Sequence, residues 1–336
     1  MEGLSRSLYD VFSANDYPVH RKPLLKKIGI ALNGTVLAYT ANPFHPMPLI
    51  NQQDIPFFEN LLMSSGKNEN GFLILSSPGG DGNVAEKLIL MLRHYFKNFT
   101  VIVPSYAKSA ATMIALGSDK ILMGYLAELG PIDPQLMLPG YPQPIPARAF
   151  IDGLEDIRTR IISNKDPVEM YLPMLHNIKP EILAISQGAI EHAKDFAERH
   201  LSKYMLKGNP SQASKVAQLL SEGKQYKSHG QVIDFDQAKN ELGLTVEMIE
   251  SESDLWESIW ELYVRSIQFM LQSQASGAAK LFEGPNYSFM LNIQIQMQQA
   301  PVRVQPPSNV PIRPPSPTPK NLEPKPATEK EQSQKK

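Results

Sequence analysis

The sequence predicts an α/β fold organised around a mostly parallel sheet, and three features of its 336 residues carry that expectation. Short apolar runs of strand length alternate with segments whose apolar residues recur at helical spacing. The turns that follow the strands are rich in glycine, proline and serine. Residues suited to chemistry gather in those turns, where an α/β sheet presents its functional loops.

Ile28-Gly-Ile-Ala-Leu32 and Val36–Thr40, on either side of Gly34, predict a hairpin or two short strands. Phe72–Leu75 predicts a buried strand that breaks at Ser76-Ser-Pro-Gly-Gly-Asp-Gly82. Val84, Leu88, Leu92 and Tyr95 then mark an amphipathic helix running to Lys97. Thr100–Pro104 predicts the next strand, Ser109–Leu116 a helix of small and apolar residues, and Lys120–Met123 a third strand. Pro167, Pro173 and Pro180 punctuate an irregular region before a long helix over about Pro180–Tyr204. Ile182, Ile185, Ile190, Ala193, Phe196 and Ala197 share one of its faces. A last helix spans about Asp254–Gln272, where Trp256 and Trp260, four apart, read as core or interface residues. Phe289–Met297 alternates at period two, which predicts an edge strand or a strand lent to a neighbouring subunit.

Composition narrows the chemistry. The chain is 42% hydrophobic and 20% charged, enough apolar material for a sizeable core and too little charge for a disordered polyampholyte. Its 33 basic and 34 acidic residues nearly cancel, so no overall field recruits nucleic acid or an anionic membrane. The absence of cysteine excludes disulfides, thiolate catalysis, Cys-ligated zinc and iron–sulfur clusters. A covalent nucleophile must then be Ser, Thr, Lys or a carboxylate. No metal-binding spacing is present, and no cofactor is expected. No apolar run approaches about 18 residues, and the stretch before Ile28 has no apolar signal region; a soluble, cytoplasmic protein is expected. Ten of the 29 prolines follow Ala300, in a segment without aromatics that carries seven basic and three acidic residues. Residues 301–336 are expected to be a disordered, basic, Pro-rich tail, solubilising or bound to a partner.

Two motifs stand out. Ser77-Pro-Gly-Gly-Asp-Gly82, between a strand and a helix, suits backbone N–H groups pointing into a cavity, although a plain turn explains it equally well. It lacks the Gly-Lys-Ser/Thr ending of a phosphate loop and the spacing of a dinucleotide fingerprint. Ser105-Tyr-Ala-Lys-Ser-Ala-Ala-Thr112 puts Ser109 at a helix start. A serine there serves either as an N-cap or as a nucleophile at the mouth of the sheet. In the second case the N–H groups of Gly79, Gly80 and Ala110 can converge on an oxyanion.

The order of these motifs, followed by Lys120-Ile-Leu-Met123 and Gly130-Pro-Ile-Asp-Pro-Gln135, resembles the Clp protease and crotonase superfamily. The chain is most similar to the serine dehydrogenase proteinases, relatives of Clp protease and of signal peptide peptidase A, over about Ile28 to Val246. The resemblance implies a spiral of β-β-α units, a serine peptidase activity, Ser109 as nucleophile, and Gly79, Gly80 and Ala110 as oxyanion-hole donors. It also implies a catalytic domain over 28–250, between an N-terminal extension (1–27) and a helical, edge-strand oligomerisation region (251–300). Clp protease carries its histidine where this chain has Asp133, and its aspartate near the position of His229. The partners look exchanged, so the triad expected is Ser109, Asp133 as orienting carboxylate and His229 as general base.

Other assignments remain open. Asp133 between prolines can simply stabilise a turn, and His229 can be a solvated loop residue. His176 is the next candidate base, while His192 and His200 read as surface residues of the long helix. Signal peptide peptidase A relatives use a Ser–Lys dyad, for which Lys165 is the candidate here. Lys108, next to Ser109, should point elsewhere. The expected function is hydrolysis of a peptide or protein substrate by a homo-oligomer whose interfaces involve the last helix and the Phe289–Met297 strand. The competing readings are an acyl-CoA transformation of the crotonase type and a catalytically silent scaffold whose tail docks a partner.

Overall fold

The computed structural model describes residues 18–294 apart from 139, 177–178, 224–225 and 227. The expected tail, most of the N-terminal extension and the end of the Phe289–Met297 segment lie outside the described residues.

The chain enters through α1 (Pro18–Leu32) and β1 (Thr35–Ala41), then alternates α2 (Asp54–Ser65), β2 (Asn68–Ser76), α3 (Gly82–Tyr95) and β3 (Phe96–Val103). After β4 (Tyr106–Ala107) come α4 (Ala110–Leu116), β5 (Lys120–Met123), β6 (Glu128–Leu129), β7 (Gln135–Leu136) and β8 (Ile145–Pro146). A helical stretch follows: α5 (Ala147–Ser163), the short α6 (Leu172–Leu175), α7 (Pro180–Lys203) and α8 (Pro210–Glu222). The chain returns to the sheet through β9 (Val246–Met248), α9 (Asp254–Gln272), β10 (Ala278–Glu283) and β11 (Ser288–Asn292).

The sheet order is β11-β10-β1-β2-β3-β5-β9. The five strands from β1 to β9 are parallel, and β10 and β11 add an antiparallel edge. Both faces are covered, so the strands read as continuous apolar runs rather than as alternating patterns. Leu37, Tyr39, Leu73, Leu75, Val101 and Val103 point into the layer of α2, α3, α4, α7 and α8. Val36, Ala38, Phe72, Ile74 and Ile102 point the other way, into the layer of α1 and α9. The Val, Leu, Ile and Phe side chains among them each contribute roughly 1.5–3 kcal/mol by leaving water.

Helix ends follow local chemistry. Asp81 caps α3 by accepting from Asn83 N–H, and Ser253 caps α9 by accepting from Trp256 N–H. Asn209 caps α8, whose C-terminal Gly223 adopts φ 66°.

Two expectations need correction. Ile28–Leu32 is the last turn and a half of α1, not a strand: Leu25 and Ile28, three apart, are buried, while Ile30 is exposed. Asn33, at φ 51°, ends that helix, and Gly34 N–H bonds back to Gly29. The boundary expected at residue 27 therefore falls inside a helix. The apolar face of α9 packs on α1 and the sheet of its own chain, with Trp256 buried and stacked on Trp260. The Phe289–Met297 pattern gives the edge strand β11, shortened at its described end to Asn292. Among the described residues no helix is long and apolar enough to cross a membrane.

Candidate active site

Three loops leave the C-terminal ends of β1, β2 and β3 and meet. The loop after β1 brings Ile50, the loop after β2 brings Gly79 and Gly80, and the loop after β3 brings Ser109. Ile50 N–H donates to Gly79 O at 2.8 Å, and Asp81 N–H donates to Ile50 O at 2.9 Å. Ser77 pairs with the segment leading to Ser109: its N–H donates to Tyr106 O, and its carbonyl accepts from Lys108 N–H at 3.0 Å.

Ser109 takes φ 50° and ψ −118°, a backbone state that L residues avoid at a cost of about 1–3 kcal/mol. Its side chain makes no capping hydrogen bond to α4, so it does not behave as an N-cap. The strained turn is held from several sides. Thr112 Oγ1 donates to Ala107 O at 2.7 Å and accepts from Gly130 N–H at 3.1 Å. Gly79 approaches so closely that a Cβ there would lie 2.7 Å from Ser109 Cβ.

Two N–H groups beside Ser109 are without hydrogen-bond acceptors among the described residues, those of Gly80 and Ala110. Gly79 N–H, the third donor expected from the sequence, is engaged by Ser77 Oγ at 3.2 Å. Gly80 has φ 147°, and a Cβ there would run into the Ile50 backbone.

Asp133 is buried, and Ile132 N–H ties its segment to Leu220 O on α8. His229 Nδ1 lies 2.7 Å from Asp133 Oδ1, and Gln135 Nε2 donates to Asp133 Oδ2 at 2.8 Å. Ser109, Gly80, Asp133 and Gln135 line one cavity of about 450 Å³, with Met113 and Ile132 among its apolar walls. His229 is not part of that lining, and among the described residues no hydrogen bond joins it to Ser109.

The other candidates fall elsewhere. Lys165 and His176 are exposed and do not line the cavity. Lys108 is fully engaged, with Nζ on Glu128 at 3.0 Å, Leu129 O at 3.0 Å and Gln231 O at 3.1 Å. It thereby fastens the loop that carries His229 to the turn that carries Ser109. His192 lines the cavity from α7, which its charged sequence neighbours concealed. His200 is buried, not on the surface: it faces Glu86 at 3.3 Å and stacks near Phe196 and Tyr204. Burial pushes the Tyr106 phenol up to about 12, with Tyr263 adding to the shift and Ser76 opposing it.

A family model described as "ClpP-like SDH-type serine proteinase" matches residues 61–275. Two uncharacterized proteins of Methanocaldococcus jannaschii are similar to the chain. One is 30% identical over 147 residues, 44% of this chain and 49% of the relative. The other is 30% identical over 196 residues, 58% of this chain and 59% of the relative. The matches thus span about half of these relatives. Among solved structures, a mutant of the 1510-N membrane-bound stomatin-specific protease aligns at 14% identity and TM-score 0.38, covering 62% of this chain and 79% of that one. The ClpP protease catalytic domain of Plasmodium falciparum aligns at 14% identity and TM-score 0.35, covering 71% and 95%.

Proposed function

Because the chain belongs to the ClpP-like SDH-type serine proteinase family, we propose that it hydrolyses peptide bonds through an acyl-enzyme on Ser109, with His229 as general base and Asp133 orienting it. The observation that carries this reading is the 2.7 Å bond between His229 Nδ1 and Asp133 Oδ1, the latter on a carboxylate that shares a cavity with Ser109. That bond commits Nδ1 and leaves Nε2 for the serine proton.

In this reading Ser109 Oγ attacks the scissile carbonyl carbon while its proton passes to His229 Nε2. The carbonyl oxygen becomes an oxyanion facing the Gly80 and Ala110 N–H groups. Collapse breaks the C–N bond, and the imidazolium returns its proton to the leaving amine. Water, deprotonated by the same imidazole, then cleaves the ester and restores Ser109. In a substrate-free site the Ser109–His229 contact is expected to be loose and to tighten on binding.

A second reading, with His192 as base, is favoured by its place in the cavity lining. Against it, His192 makes no hydrogen bond to a carboxylate among the described residues. The substrate class proposed is peptide or protein. A homo-oligomer is proposed on the apolar side chains that one chain leaves in water, among them Met137, Ile162, Met170, Met174 and Ile185.

A fluorophosphonate probe tests the assignment. Labelling at Ser109, abolished by His229→Ala and kept by His192→Ala and Lys165→Ala, is expected. Loss with His192→Ala instead transfers the base to α7, and loss with Lys165→Ala revives the dyad. A folded wild type that does not label excludes the peptidase and leaves a scaffold or an acyl-CoA enzyme, the latter recognised by CoA retention.

A further inference from the structure

Beneath the oxyanion turn lies a buried ion pair that the chemistry proposed above does not use. Lys280 Nζ on β10 meets Asp54 Oδ1 at the start of α2 at 2.6 Å, and both side chains are fully shielded from solvent. The other carboxylate oxygen accepts from Tyr39 OH at 3.2 Å and from Asn51 N–H at 3.1 Å. Burial pushes the Asp54 carboxyl up and the Lys280 ammonium down, and each partner opposes the other's shift. A pair this deep is weak evidence of stability, because desolvation offsets most of its attraction. Its geometry, by contrast, fixes one stretch of backbone.

That stretch is Ile50-Asn51. Asp54 grips Asn51 N–H, and Ile50, one residue earlier, bonds to Gly79 O and Asp81 N–H. Those two bonds flank Gly80 and fix the peptides on either side of it. Gly80 N–H has no acceptor among the described residues, and there is no room for a Cβ between Gly80 and Ile50. Tyr39 completes the cluster from β1, the strand to which β10 is paired.

We propose that Asp54, Lys280 and Tyr39 are positioning residues that hold the Gly80 amide at the oxyanion site, acting through the Ile50-Asn51 backbone. The inference rests on the peptidase reading of Ser109. Its signature is kinetic. An oxyanion donor acts on the transition state and not on the bound ground state, so loosening it slows acylation and leaves binding unchanged.

The experiment measures the kinetics of Ser109 phosphonylation by a fluorophosphonate on the full-length chain. Wild type is compared with Asp54→Asn, Lys280→Met, the double variant and Tyr39→Phe, each checked for folding by circular dichroism. The Asp54 and Lys280 variants are expected to lower the maximal inactivation rate about ten- to a hundredfold, with the half-saturating probe concentration unchanged. Tyr39→Phe, which removes one hydroxyl from a folded core, is expected to lower it about threefold to tenfold. It decides the matter should the charge variants fail to fold. Folded variants that label at the wild-type rate overturn the inference and leave the peptidase reading intact, as does a change confined to the half-saturating concentration. A wild type that never labels removes the peptidase reading, and this inference with it.

Discussion

His229 and Asp133 are separated by 96 residues of sequence and by 2.7 Å between Nδ1 and Oδ1. Gln135 holds the other carboxylate oxygen, so Asp133 cannot rotate freely between its partners. Asp133→Asn is expected to lower kcat about 10³- to 10⁴-fold, because an amide can select the wrong imidazole tautomer. Gln135→Met keeps the charge and frees only the second oxygen, so a loss of about tenfold in kcat is expected. Steady-state kinetics on a cleaved peptide, with KM measured separately, check both. Equal losses from the two variants would contradict this division of roles.

Glycine at 80 and glycine at 153 have opposite reasons to be there. At Gly80 a Cβ meets the Ile50 backbone, and φ is 147°. Gly80→Ala should displace the oxyanion turn and lower kcat about a hundredfold or more. Gly153 lies inside α5, with nothing within 4 Å of a Cβ. Gly153→Ala should raise stability by about 0.5–1 kcal/mol, seen as a later urea midpoint with activity unchanged.

Thr112 joins the serine turn to the chain three residues before Asp133. Its hydroxyl donates to Ala107 O and accepts from Gly130 N–H, and it is fully buried. Thr112→Val preserves shape and leaves both backbone groups unpaired, at a cost of about 2–4 kcal/mol in denaturant unfolding. Thr112→Ser, which keeps the hydroxyl, should recover most of that loss.

The buried His200 makes stability depend on pH. Burial holds its pKa below the ordinary 6.5, opposed by Glu86, while Arg199 and Lys203 add to the depression. The folded protein therefore binds fewer protons than the unfolded chain in mild acid. This contribution is complete above about pH 6.5 and is lost as pH falls through the depressed value. The melting temperature should drop between about pH 7.5 and pH 5.5, and His200→Phe should flatten that part of the curve. Glu86 also loses its partners' support on protonation, but at lower pH, since Arg199 and His200 outweigh its burial and hold it below its usual value.

Much of this architecture is legible in one sequence, for physical reasons. The runs at Phe72–Leu75, Thr100–Pro104 up to Val103, and Lys120–Met123 fall in parallel strands covered on both faces, where mostly apolar residues fit. The helix expected over about Asp254–Gln272 is found there, because its apolar residues recur at helical spacing, and Ser253 caps its start. Ile28–Leu32 misled because five apolar or small residues suit a strand and a helix end equally. At the site, the Pro-Gly-Gly and Ser-Ala-Ala turns show themselves through local composition. The place of His192 on the cavity wall and the Asp54–Lys280 pair arise from tertiary contacts that no local pattern encodes.

Lys280 lies about fifty residues beyond His229, on a strand that must pair with β1 near the start of the chain. During synthesis on the ribosome, Ser109, Asp133 and His229 therefore emerge while Asp54 still waits for its cation. A nascent chain therefore contains all three residues of the proposed triad before the Gly79-Gly80 turn has the support proposed for it. If the proposed roles hold, the full rate is expected only once β10, nearly the last strand of the described sheet, has paired with β1.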